Sequence, residues 1–186
     1  MPTKLIVIRG NSGSGKTSVA REVRQRYGRG CALVEQDYLR RIVLREHDSA
    51  GLAPRLIGAT AQTALAGGYH VVLEGILHAP LYGAMLRDLI ADHPGESHVY
   101  YLEVGFEESL RRHAMRPQAA DFTPEQMSEW FTPRDVLGVP EETIIPELSS
   151  LDEAVETILH TSGLSAAPAT APCPAHCPRC QAKRSG

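Results

Sequence analysis

The stretch RGNSGSGKT, Arg9 to Thr17, sets three glycines and three small polar residues directly ahead of a lysine and a threonine. Its spacing, Gly10-x-x-x-x-Gly15-Lys16-Thr17, is that of a phosphate-binding loop. The chemistry is anion capture. Glycine lets successive backbone N–H groups turn into one concavity, which a phosphate can fill at the start of a helix. Gly10, Asn11, Ser12, Gly13, Ser14, Gly15, Lys16, Thr17 and Ser18 would form the cradle. Lys16 would bridge the β- and γ-phosphates as a point charge, and the Thr17 hydroxyl would ligate Mg²⁺. The expected ligands are ATP and Mg²⁺.

Three further groups could act on a phosphate held there. Asp37 is followed by Arg40 and Arg41 in EQDYLRR, Glu74 ends the apolar run of VVLEG, and EESLRRHAMRP carries Arg111, Arg112, His113 and Arg116. Phosphoryl transfer asks the protein mainly for positioning and charge compensation. A carboxylate at Asp37 could orient an acceptor hydroxyl and take its proton. The competing role for Asp37 is to cap the helix that begins YLRRIVL. Glu74 is expected either to hold the hydration shell of Mg²⁺ or to bind the acceptor. Arg112 and Arg116 share a helix face through their spacing of four, and would neutralise charge on the group in transit. Arg111 reads as a solvated helix charge. Arg40, Arg41 and Arg55 are expected around the acceptor, with His47, Asp48, Gln62 and Thr63 as further candidates for its pocket.

Those residues need a frame that gathers them. The chain alternates strand-like and helix-like segments, which predicts an α/β fold with a mostly parallel five-stranded sheet and helices on both faces. Strands are expected at Lys4–Arg9, Cys31–Glu35, His70–Glu74, His98–Val104 and Thr143–Ile145. Helices are expected at Lys16–Tyr27, Tyr38–Glu46, Ala53–Ala66, Pro80–His93, Glu107–Met115, Pro124–Trp130 and Leu151–His160. In such a sheet the ligand lies beyond the carboxyl ends of the strands, where the loop, Asp37 and Glu74 all fall.

Composition narrows the partners. The chain has 186 residues, 42% hydrophobic and 22% charged, which predicts one globular domain. No apolar run approaches the ~20 residues that cross a bilayer, so no membrane partner is expected. The opening MPTKLIVIRG leads straight into the loop and reads as a strand rather than a leader; the cytoplasm is the expected compartment. Setting aside Arg179, Lys183 and Arg184 near the end, 16 basic residues face 22 acidic ones, a formal charge of −6. That disfavours nucleic acid, whose groove needs a basic face. The sequence carries no signal of oligomeric state.

Gly10–Thr17, Asp37 with its following arginines, and RRHAMR together resemble the small P-loop kinases related to zeta toxins, chloramphenicol phosphotransferase and polynucleotide kinase. A uridine kinase-like reading is equally natural. The resemblance spans residues 4–160. It implies a three-layer P-loop kinase fold with Asp37 as general base, and a helical arginine lid at about residues 106–138 that carries Arg112 and Arg116. Glu74 stands where many P-loop proteins carry aspartate.

Two segments lie outside that core. In DFTPEQMSEWFTPRDVLGVPEE, Trp130 and Phe131 are expected either to plug the core beneath the lid or to stack on an aromatic acceptor. The kinase domain is expected to span residues 1–163, and residues 164–186 to form a disordered tail rich in Ala and Pro. There Cys173, Cys177 and Cys180 with His176 could gather Zn²⁺, and their C-x₃-C-x₂-C spacing also occurs in iron–sulfur motifs. The partner knuckle and the barrel those sites require are missing, so a metal-free tail is expected. Cys31 reads as a small buried side chain. The sequence thus points to a kinase acting on a hydroxyl of a small molecule such as a nucleoside, sugar or antibiotic. A regulatory NTPase and a nucleic-acid 5′-hydroxyl kinase are the alternatives.

Overall fold

A computed structural model describes residues 2–47, 51–114 and 123–166. Five strands form one sheet: β1 (Lys4–Gly10), β2 (Cys31–Glu35), β3 (His70–Glu74), β4 (Glu96–Glu103) and β5 (Glu142–Pro146). Their order is β2-β3-β1-β4-β5 and every pairing is parallel. β1 is central, and its near-continuous apolar run reflects burial on both faces.

Side chains alternate across the sheet. Ile6 and Ile8 of β1, Val72 of β3, and Tyr100 and Leu102 of β4 pack beneath α1 (Lys16–Tyr27) and α6 (Leu151–Thr161). Leu5 and Val7, Val71 and Leu73, and Val99 pack on the opposite face beneath α2 (Ala53–Ala66) and α3 (Ala79–Asp92). Three layers result, as the alternation of segments requires. α4 (Phe106–Ala114) and α5 (Pro124–Trp130) lie between β4 and β5 in sequence. Among the described residues, no helix is long and apolar enough to cross a membrane.

Several expected boundaries shift. The helix expected over Tyr38–Glu46 is a π-helical turn, Tyr38–Val43, and the Glu46 side chain beyond it serves α2. Its carboxylate accepts from Leu52 N at 2.8 Å and Ala53 N at 3.1 Å, capping α2. β4 begins two residues earlier than its apolar pattern suggested, because Lys4 and Leu5 of β1 pair with Glu96 and Ser97. The packed chain also passes the boundary drawn at residue 163. Leu164 is buried beside Leu159, and Ser165 N donates to Leu159 O. The tail cysteines and His176 lie outside the described residues, as do Asp48 and Arg116.

Candidate functional site

The loop between β1 and α1 is pressed against β4 and α4. A Cβ on Gly13 would sit 2.6 Å from Ser109 O, and one on Gly10 would sit 2.7 Å from Leu102 O; both glycines also have positive φ. No other residue fits there without moving a neighbouring backbone. α1 then starts at Lys16 with no side-chain cap and no acid in its first turn, so its N-terminal N–H groups are left for an anion. Lys16 is 8% exposed, and its Nζ donates to Asn11 O at 2.8 Å across the mouth of the loop.

Thr17 and Glu74 meet at the floor of this mouth, where Thr17 Oγ1 donates to Glu74 Oε1 at 3.2 Å. Register explains the meeting: Glu74 pairs with Ile8, two residues before the loop begins. Burial pushes the Glu74 carboxyl above its usual range, with the nearby charges of Glu35 and Asp37 adding to the push and that of Lys16 opposing it. A hydroxyl and a carboxylate beside a phosphate cradle are hard oxygen donors, the set that suits Mg²⁺. Among the described residues, no group of three or more His, Cys, Asp or Glu is arranged to hold a metal.

Asp37 lies two residues past the end of β2, whose Glu35 pairs with Glu74. It is 63% exposed and makes no side-chain cap, so capping does not account for it. Arg41 Nε stands 3.3 Å and Arg40 Nη2 3.8 Å from its Oδ1. Arg40 is mostly buried, and its Nε has no hydrogen-bond partner. Such π-helical turns are frequent at functional sites; this one leaves Tyr38, Ile42 and Val43 exposed beside the carboxylate. Arg55 is exposed on the first turn of α2 and His47 is exposed beyond the π-helical turn, whereas Gln62 and Thr63 fall near the other end of α2, toward the amino ends of the strands.

On the far side of the loop, Arg112 of α4 is held by three partners. Its Nε donates to Glu108 at 2.6 Å, Nη1 to Ser14 O at 3.2 Å and Nη2 to Glu147 O at 3.0 Å. It walls a cavity of about 300 Å³ together with Ser14, Gly15, Ser18, Pro146 and Ser149. Arg111 hydrogen bonds to Glu108 as well and is largely exposed, and the two guanidinium groups hold the Glu108 carboxyl down to about 2. Met127 is the buried residue of α5, while Trp130 is 41% exposed rather than a core plug. Phe131 packs edge-on against Phe106, ring centroids 5.2 Å apart.

A second set of residues escaped the motif reading. Arg9 is fully buried in β1. It donates to Leu77 O through Nε and Nη2, to Asp135 Oδ2 at 3.0 Å and to Glu142 Oε1 at 3.1 Å, and lies over the Tyr101 ring. Leu77, with φ of 45°, is fixed by Arg9 on its carbonyl and by Gln36 Oε1 on its N–H. The signal was present in KLIVIRG: a charge inside a buried strand must find partners.

The family described as AAA domain matches residues 5–133. No curated protein matches the sequence. Among solved structures, the APS kinase of Mycobacterium tuberculosis in complex with AMPPNP and APS is 19% identical with a TM-score of 0.64, over 89% of this chain and 98% of that one. A gluconokinase from Sinorhizobium meliloti 1021 is 21% identical with a TM-score of 0.61, over 89% and 93%. The tunicamycin resistance protein of Deinococcus radiodurans is 16% identical with a TM-score of 0.62, over 87% and 96%. These likenesses establish a P-loop kinase-like α/β fold. Because the family match takes in more than half of the chain, from β1 through α5, the protein belongs to the AAA domain family.

Proposed function

We propose that this protein is an ATP-dependent phosphotransferase that moves the γ-phosphate of Mg·ATP to a hydroxyl of a small molecule. One observation carries the reading: a largely exposed carboxylate, Asp37, caps nothing and stands at a strand end beside the loop that holds Lys16. A pure NTPase has no need of an acid there. Within the AAA domain family, the finer likeness is to the zeta toxin, chloramphenicol phosphotransferase and polynucleotide kinase group.

Residues divide by role. The N–H groups of the loop and Lys16 receive the β- and γ-phosphates. Thr17 and Glu74 would hold Mg²⁺, directly or through water, and the ion would supply charge neutralisation on the phosphate oxygens. The cavity walled by Arg112 is of a size to take the nucleotide base. Arg40, Arg41 and Arg55 flank the acceptor side. Arg116, four residues beyond Arg112 in sequence, is assigned with it to charge developing on the transferred group. In the reaction the acceptor oxygen attacks the γ-phosphorus and the bond from that phosphorus to the bridging oxygen breaks. ADP leaves with the electron pair, and the acceptor proton passes to Asp37. The formal charge of −6 left when Arg179, Lys183 and Arg184 are set aside favours a small acceptor over nucleic acid.

A screen of nucleosides, sugars, nucleotide sugars and hydroxyl-bearing antibiotics for acceptor-dependent ADP release tests this, with the product identified by mass. At least one acceptor is expected to raise ADP release and gain a phosphate. Release that no acceptor stimulates would favour the regulatory NTPase.

A further inference from the structure

Asn11 is the second residue of the phosphate loop and is 5% exposed. Both polar atoms of its side chain are engaged by the main chain of Thr132. Oδ1 accepts from Thr132 N at 3.1 Å, and Nδ2 donates to Thr132 O at 2.9 Å and to Tyr101 Oη at 3.3 Å. Two opposed bonds to the N–H and the C=O of one residue fix both distance and direction. The side chain of Thr132 is held as well, with its Oγ1 3.0 Å from Nε2 of His78, four residues beyond Glu74.

The main chain of the same Asn11 carries a different load. Its carbonyl accepts Lys16 Nζ at 2.8 Å and Ser14 N at 3.2 Å. A phosphate entering the cradle draws on the same ammonium group, so the bond from Lys16 Nζ to the Asn11 carbonyl must be shared or redirected when the loop fills. One residue therefore combines the atom whose bonding changes on loading with a side chain that grips another segment. Beyond Thr132, that segment runs to Asp135, which accepts from Ala79 N at the start of α3, and to Leu137 and Gly138, whose N–H groups donate to Glu142.

We propose that Asn11 is a positioning residue that couples occupancy of the phosphate loop to the segment from Phe131 to Glu142, rather than a phosphate ligand through its side chain. The proposal rests on the kinase reading for its ligand, Mg·ATP. Arg9, fully buried, joins Asp135 to Glu142, and the Glu142 carboxylate in turn holds the N–H groups of Leu137 and Gly138. A change at Thr132 is therefore passed through Asp135 and Arg9 to those amides. Trp130, two residues before Thr132, would follow it.

Amide hydrogen exchange with and without Mg·AMPPNP, beside calorimetric affinity, is the test. In the wild type, nucleotide is expected to slow exchange at Leu137 and Gly138, neither of which bonds to Asn11. In Asn11→Ala saturated with nucleotide that slowing is lost. Asn11→Ser, too short to span both Thr132 N and O, carries the test should the alanine variant not fold. Slowing retained in the saturated variant, with weakened affinity, would make the side chain a phosphate ligand and overturn the proposal. Wild-type protein that binds Mg·AMPPNP without slowing these amides overturns the coupling alone. Wild-type protein that binds none overturns the kinase reading and the coupling together.

Discussion

The Thr17 hydroxyl donates to Glu74 Oε1 at 3.2 Å, joining the second residue of α1 to the last residue of β3. Because burial raises the affinity of Glu74 for a proton, this contact has a pH signature. Between about pH 4.3, the ordinary glutamate value, and the raised folded value, the native protein holds a proton that the unfolded chain releases. Stability contributed at this position is therefore lost as pH rises through that window. A divalent cation at the carboxylate favours its ionised form, so binding Mg·ATP in the same window expels the proton. Calorimetry in buffers of different ionisation enthalpy is expected to record proton release on binding, and none in Glu74→Gln. Equal release in both proteins would separate Glu74 from the metal.

A sharper distinction separates the side chains of Lys16 and Thr17. Lys16→Ala removes a charged donor, worth about 1.5–3 kcal/mol, and is expected to weaken Mg·ATP binding roughly ten- to hundredfold with the fold intact. Thr17→Ala is expected to leave metal-free nucleotide binding nearly unchanged and to lower the response to Mg²⁺. Titration of each variant with ATP, with and without Mg²⁺, checks both. Unaltered Mg·ATP affinity and turnover in the two variants would remove the phosphate-loop assignment.

Arg9 tests the frame rather than the chemistry. Its guanidinium is fully buried between two carboxylates, and removing one partner of a buried pair typically costs about 3–5 kcal/mol. Arg9→Met, similar in volume and uncharged, is expected to lower unfolding stability by that order in urea. A loss within that of an exposed pair, about 1 kcal/mol or less, would show that Asp135 and Glu142 find other donors.

How far the sequence reveals this arrangement depends on whether the signal is local. The spacing of Gly10, Gly15, Lys16 and Thr17 is a local pattern, and strand before and helix after it are recovered within a residue. Glu74 was visible because it ends an apolar run, and register then sets it beside Ile8. The π-helical turn after Asp37 was not visible. Glu46 turns from its own segment to cap α2, a preference no window over Tyr38–Glu46 contains. Likewise the Asn11 contact with Thr132 joins residues 121 apart in sequence, and a motif reading gave Asn11 only to the phosphate cradle. Long-range hydrogen bonds leave little trace in composition beyond the oddity of the polar residue itself, as at Arg9.

Arg112 bears on nucleotide recognition. Its guanidinium lines the cavity of about 300 Å³ and bonds Ser14 O and Glu147 O, so it ties α4 to the phosphate loop and to the segment after β5. Arg112→Lys keeps the charge but cannot reach two carbonyls and Glu108 with a planar fork. It is expected to raise the KM for ATP severalfold and to lower kcat less. The opposite pattern, kcat falling with KM unchanged, would assign Arg112 to the transition state alone.

Asp37 separates chemistry from structure most directly. Its carboxylate lies 3.3 Å from Arg41 Nε, is 63% exposed, and caps no helix. An exposed pair of this kind contributes about 0–1 kcal/mol, so Asp37→Asn should leave thermal stability and Mg·ATP affinity close to wild type. The amide cannot take a proton from an acceptor. If Asp37 is the base, transfer to the true acceptor falls by about 10²–10⁴-fold, while basal hydrolysis, which does not use the acceptor hydroxyl, changes far less. Asp37→Glu restores the charge with a displaced oxygen and is expected to recover part of the loss. A purely electrostatic partnership with Arg40 and Arg41 predicts instead that Asp37→Asn weakens acceptor binding, seen as a raised KM at unchanged kcat. Wild-type kcat in Asp37→Asn would thus reject the base and turn attention to Glu74, the carboxylate that meets Thr17 at the floor of the loop's mouth.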